Sequence, residues 1–104
     1  MFARVTTFQG DPDSVDGPIR FSVQRASQGL GGIPGFLGLF DLADRESGQA
    51  VVVTLWATRE ARDASAEFAR DAAKKVAEEG SEHVVSMRDY EVGHFLLGDL
   101  PTSS

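Results

Sequence analysis

The chain has 104 residues, 41% of them hydrophobic and 25% charged, with a formal net charge of -6 and no cysteine. That length is one domain with a modest core. The missing cysteines exclude disulfides, thiolate nucleophiles, iron–sulfur clusters and cysteine-based zinc sites. The acidic balance disfavours nucleic acid and anionic membrane surfaces as partners.

In chain order, the first element is a strand over residues 2–8, where Val5, Thr6, Thr7 and two phenylalanines supply β propensity. It stops at the breaker Gln9-Gly10-Asp11-Pro12. A first helix is expected to start near Asp16-Gly17-Pro18, with proline at a first helical position and Asp16 or Gly17 as cap. Ile19, Val23, Ala26 and Leu30 then share one helical face, and Gly29, Gly31, Gly32 and Pro34 end the helix. The apolar runs 36–43 and 49–57 flank the turn-forming segment Asp44-Arg45-Glu46-Ser47-Gly48, which reads as a β-hairpin.

A second helix is predicted over residues 59–79, with Thr58 as N-cap, Glu60 in the first turn and Gly80 beyond its end. Its buried stripe is Ala61, Ala64 or Ser65, Phe68, Ala72 and Val76, and so much alanine implies close approach to a sheet. Its Arg59, Arg62, Arg70, Lys74 and Lys75 alternate with carboxylates, as on a solvated face. A last strand is expected over 84–97, interrupted near Gly93, followed by a polar tail at 99–104. Residues 1–98 thus form a single domain. No stretch approaches the roughly 20 apolar residues of a membrane span, and the start of the chain lacks the pattern of a secretory signal. The cytoplasm is the expected location.

The order βαββαβ predicts an α+β, ferredoxin-like fold, a four-stranded antiparallel sheet with two helices on one face. If one strand parity faces the helices, the other leaves Phe2, Phe8, Phe36, Phe40, Leu42, Val52, Trp56, Tyr90 and Val92 uncovered. So large an apolar patch calls for a partner. A second copy on a two-fold axis is the economical one, its sheet packed against the first.

Pro34-Gly35-Phe36-Leu37-Gly38, the Asp-Arg-Glu-Ser-Gly turn and Val53-Thr54-Leu55-Trp56-Ala57-Thr58-Arg59-Glu60-Ala61 resemble the antibiotic biosynthesis monooxygenase-like family of dimeric α/β-barrel proteins. The likeness covers residues 34–66, and elsewhere it rests on element order. It implies a homodimeric α/β barrel with a pocket in each subunit. It does not by itself imply an enzyme, since the family mixes cofactor-independent oxygenases of aromatic polyketides, haem-degrading enzymes and members without a known reaction. The haem-degrading members carry an asparagine in strand 1 and a tryptophan and a histidine in helix 2. Here strand 1 offers Arg4, Thr6 and Phe8, Ala64 and Ser65 stand at the tryptophan position, and no histidine falls between Thr58 and Glu82, so haem degradation is disfavoured.

Parity then assembles a candidate pocket from Thr6, Phe40, Thr54, Trp56, Tyr90 and His94, with Arg4 or Arg88 at its edge. Trp56 would be an aromatic wall for a planar ligand, or else part of a dimer core. His94 would be a general base toward an acidic phenol, or else a hydrogen-bonded structural or surface group. Gly93 beside it would shift that parity if it marks a bulge. Arg4 and Arg88 would bind a phenolate, carboxylate or enolate, or else reach the rim and pair with Asp89, Glu91 or Asp41. His83, beside Glu82, reads as solvated. No cofactor is called for, no metal-ligand constellation is visible, and the glycines at 29–35 follow a helix rather than precede one, unlike a phosphate loop. Two functions are carried forward. One is cofactor-independent oxygenation of a small aromatic, and the other is a non-catalytic ligand-binding or stress-related dimer.

Overall fold

The computed structural model describes residues 1–12, 24, 26–79 and 82–99. The start of the expected first helix, with Ile19 and Val23, lies outside the described residues, as do Gly80 and the chain beyond Asp99. The described residues hold four strands: β1 (Phe2–Gly10), β2 (Phe36–Asp44), β3 (Gln49–Trp56) and β4 (Glu82–Glu91). They form one antiparallel sheet in the order β2-β3-β1-β4. Gln24 and Ala26 are helical, a short 3-10 turn spans Leu30–Gly32, and α1 (Arg59–Ala64) and α2 (Ala66–Glu79) follow the hairpin. The ferredoxin-like arrangement expected from the sequence is the one observed.

The hairpin turn closes as its residues dictate. The Asp44 carboxylate accepts from the Glu46 amide at 3.0 Å, a bond that holds its carboxyl below the usual range, and Gly48 takes a φ of 78° that side chains resist. At the helix start Thr58 Oγ1 accepts from the Ala61 amide at 3.1 Å, as an N-cap should.

The predicted second helix is not continuous. It breaks at Ser65, where the Arg62 carbonyl accepts both from the Ser65 hydroxyl at 2.6 Å and from Arg4 Nη2 at 2.8 Å. The Arg62 carbonyl also accepts from the Ser65 amide at 3.2 Å, a tightened turn that marks the break between the two helices. The last strand ends at Glu91 rather than running on to residue 97. Glu91 is opposite Phe2, and the final rung joins the Val92 amide to the Met1 carbonyl at 2.9 Å.

Residues paired across strands share a face, so the register decides which side chains meet the helices. Phe8, Ala50 and Val52 pack with Ala26, Ala72, Ala73 and Val76 in the core. The aromatic-rich parity of β1 and β3 is therefore covered by helix within one chain. This corrects the expectation that Phe2, Phe8, Val52 and Trp56 lie on the free face. The physical reason is size matching, since an alanine-lined helix leaves room above the sheet that large side chains must fill. Two irregularities add to it. A bulge between Phe36 and Gly38 reverses parity along β2, leaving Phe36 opposite Trp56 but turning Phe40 to the other face beside Val53. A second irregularity, between Thr7 and Phe8, shifts β4 against β1.

Candidate functional site

A cavity lies between the sheet and the helices. Its walls are Phe8, Leu30, Leu39, Val52, Trp56 and Phe68 with a run of alanines from α2, and its polar groups come from Arg4, Thr6, Thr54 and Ser65. It encloses about 60 Å³.

Arg4 is the central feature. It points from β1 toward the helix break and is only 3% exposed. Its Nε donates to Asp89 Oδ1 at 3.0 Å, Nη1 to Ser65 Oγ at 2.7 Å and Nη2 to the Arg62 carbonyl at 2.8 Å. A buried guanidinium persists only when so partnered. Those three bonds use one N–H on each nitrogen, and a guanidinium has five. Asp89 also lies 3.8 Å from Arg62, which donates to the Tyr90 carbonyl at 3.1 Å. The guanidinium carbons of Arg59 and Arg62 stand 5.6 and 5.5 Å from the Phe2 ring centre, which fixes the start of β1 against α1.

Trp56 is 1% exposed. Its indole N–H donates to Thr54 Oγ1 at 3.0 Å, and Phe36 meets its ring edge-on with centroids 5.5 Å apart. The sheet and helices of one chain bury it, with no need of a dimer core.

The structure brings together four of the predicted pocket residues, Arg4, Thr6, Thr54 and Trp56. It separates the rest. Phe40, Arg88 and Tyr90 are exposed on the opposite face, paired with Val53, Val5 and Ala3. His94 is exposed in the irregular segment beyond β4 and does not line the cavity. The pairing of Arg4 with Asp89, foreseen for an arginine at the rim, is formed instead from a buried position. Ser65 is the residue whose role was missed. The signal was present, a lone hydroxyl in an otherwise apolar helical stripe. Among the described residues no carboxylate or histidine lines the cavity, and no cluster of three or more metal-ligating side chains occurs.

These observations define a class, a ferredoxin-like α+β domain with an arginine-headed apolar cavity between its layers. No family model and no curated protein sequence matches the chain. Solved structures do. SnoaB from Streptomyces nogalater, a cofactor-independent oxygenase, is 19% identical with a TM-score of 0.64, covering 91% of this chain and 95% of its own. Rv0793 from Mycobacterium tuberculosis is 16% identical with a TM-score of 0.59, covering 99% and 98%. An antibiotic biosynthesis monooxygenase is 15% identical with a TM-score of 0.63, covering 88% and 98%. The fold of this chain is thus that of the antibiotic biosynthesis monooxygenase-like proteins. No helix among the described residues is long and apolar enough to cross a membrane.

Proposed function

We propose that the protein binds a small planar organic anion, a phenolate or enolate, in the cavity between sheet and helices, and oxygenates it without a cofactor. The observation that carries this reading is Arg4, a buried cation with N–H groups unused among the described residues, at the head of an apolar space. A guanidinium in low dielectric stabilises an oxyanion far better than water-exposed donors can. Trp56 and Phe68 supply walls for a ring. With no base lining the cavity among the described residues, the substrate arrives already ionised. A phenol and O2 then give a quinone and water: the substrate provides all four electrons, one oxygen atom forms the new carbonyl and the other leaves as water.

The enclosed 60 Å³ favours a second reading. Ligand sites are typically about 300 Å³ or more, and a cavity of about 150 Å³ is needed to hold benzene. A ring enters only if the cavity walls give way, and a cavity that stays closed makes this a non-catalytic dimer. Under either reading a second copy covers the opposite face, where Phe40, Leu42 and Tyr90 are exposed. With no disulfide to form, we take the cytoplasm as its location.

The test is oxygen uptake with a panel of phenols and naphthols, alongside quenching of Trp56 fluorescence. The first reading expects both signals in the wild type, and their joint loss in Ala72→Phe, which fills the cavity, with folding checked by circular dichroism. Quenching without oxygen uptake establishes the binding reading alone. Neither signal with any compound overturns the first reading and supports the closed-cavity dimer.

A further inference from the structure

A second hollow lies on the outer side of Arg4. Ala66, Arg70, Ala73 and Lys74 of α2 form one wall, and Val84, Met87 and Asp89 of β4 form the other. It offers about 550 Å³, within the range of small-molecule sites and far more than the interior cavity. Its floor is apolar, and the two hollows share Arg4 and Ala73 as a common boundary.

The charges in this groove are specific. Arg70 and Lys74 stand one helical turn apart on the same side of α2. Neither side chain makes a hydrogen bond or ion pair among the described residues, although the protein carries a net charge of -6. The one carboxylate in the groove, Asp89, is already engaged by Arg4 at 3.0 Å, with Arg62 at 3.8 Å. The groove therefore presents two free cations over an apolar floor, next to a neutralised pair.

We propose that this groove is a capture site for an amphipathic aromatic anion, with Arg70 and Lys74 holding its charge and Ala66, Ala73, Val84 and Met87 its ring. It rests on the proposed function for its ligand class, and it supplies what the interior cavity lacks, room for a whole ring beside Arg4. Opposite charges at this spacing give recognition that weakens with salt.

The experiment follows amide and indole NMR shifts of the labelled protein during titration with sodium 1-naphthoate and, separately, with neutral 1-naphthamide. The comparison protein is Arg70→Gln/Lys74→Gln, two exposed positions whose exchange leaves the fold intact. Naphthoate is expected to shift amides at residues 66–74 and 84–89, with affinity falling about tenfold in the double variant and in 0.5 M salt, while naphthamide binding is unchanged. Equal naphthoate affinity in the two proteins, or shifts confined to the interior around the Trp56 indole and Leu30, overturns the groove and leaves the interior site standing. Groove shifts with a silent Trp56 indole support the capture site and count against the interior one.

Discussion

Glu82 opens β4 with its side chain only 5% exposed, and neither carboxylate oxygen has a hydrogen-bond partner among the described residues. Burial, with the negative charge of Asp41 adding to it, pushes its carboxyl up from 4.5 to about 7. The folded protein thus keeps a proton that the unfolded chain releases from about pH 4.5 upward, and stability falls as pH rises through that window and levels off above 7. The difference of about 2.5 pH units, at about 1.4 kcal/mol each, makes the ionised group cost about 3 kcal/mol. Glu82→Gln removes the charge while keeping the shape. It should stabilise the protein by about 3 kcal/mol at pH 8, and by roughly less than 1 kcal/mol at pH 4.5, where the folded state holds the proton and the unfolded chain is still half protonated. Urea unfolding followed by the fluorescence of Trp56, the chain's single tryptophan, measures both values. An equal gain at the two pH values would refute the reasoning, because only the ionised carboxyl is penalised.

Ser65→Ala deletes the acceptor for Arg4 Nη1 and the hydroxyl that bonds the Arg62 carbonyl; a loss of about 1–3 kcal/mol in the same urea assay is expected, since a buried cationic donor is left unpaired. Gly35→Ala places a Cβ 2.6 Å from that of Ala61 at a φ of 84°, so a loss of about 2 kcal/mol should accompany a lower melting temperature. Leu42→Glu puts a charge on the uncovered face, and light scattering should show a dimer in the wild type and a monomer in the variant.

The element order was legible because each boundary has a local cause. Thr58 caps, Asp44 and Gly48 turn, and Pro12 and Pro34 interrupt. The site was half legible. Alternation in β1 and β3 correctly grouped Arg4, Thr6, Thr54 and Trp56, because both strands are regular between Phe2 and Thr7. It failed to say which face that group occupies, since both faces of this sheet carry large apolar residues. Size resolves the question. The alanine stripe of α2 accepts Phe8 and Trp56 beneath it, while the valines of the other parity would leave voids there. Phe40, Arg88 and Tyr90 went astray for a different reason. A single extra residue at Leu37 inverts everything after it in β2, and β4 is seen edge to edge with β1 only through its register.

The bond from Arg4 to Ser65 joins residues 61 positions apart and sits at the break between α1 and α2. A helix usually acquires its shape from neighbours three or four residues away. Here the junction of α1 and α2 is bonded to a side chain of the first strand. The junction therefore has its full set of bonds only with β1 in place, and a peptide spanning 58–79 alone lacks the Arg4 donor at Ser65.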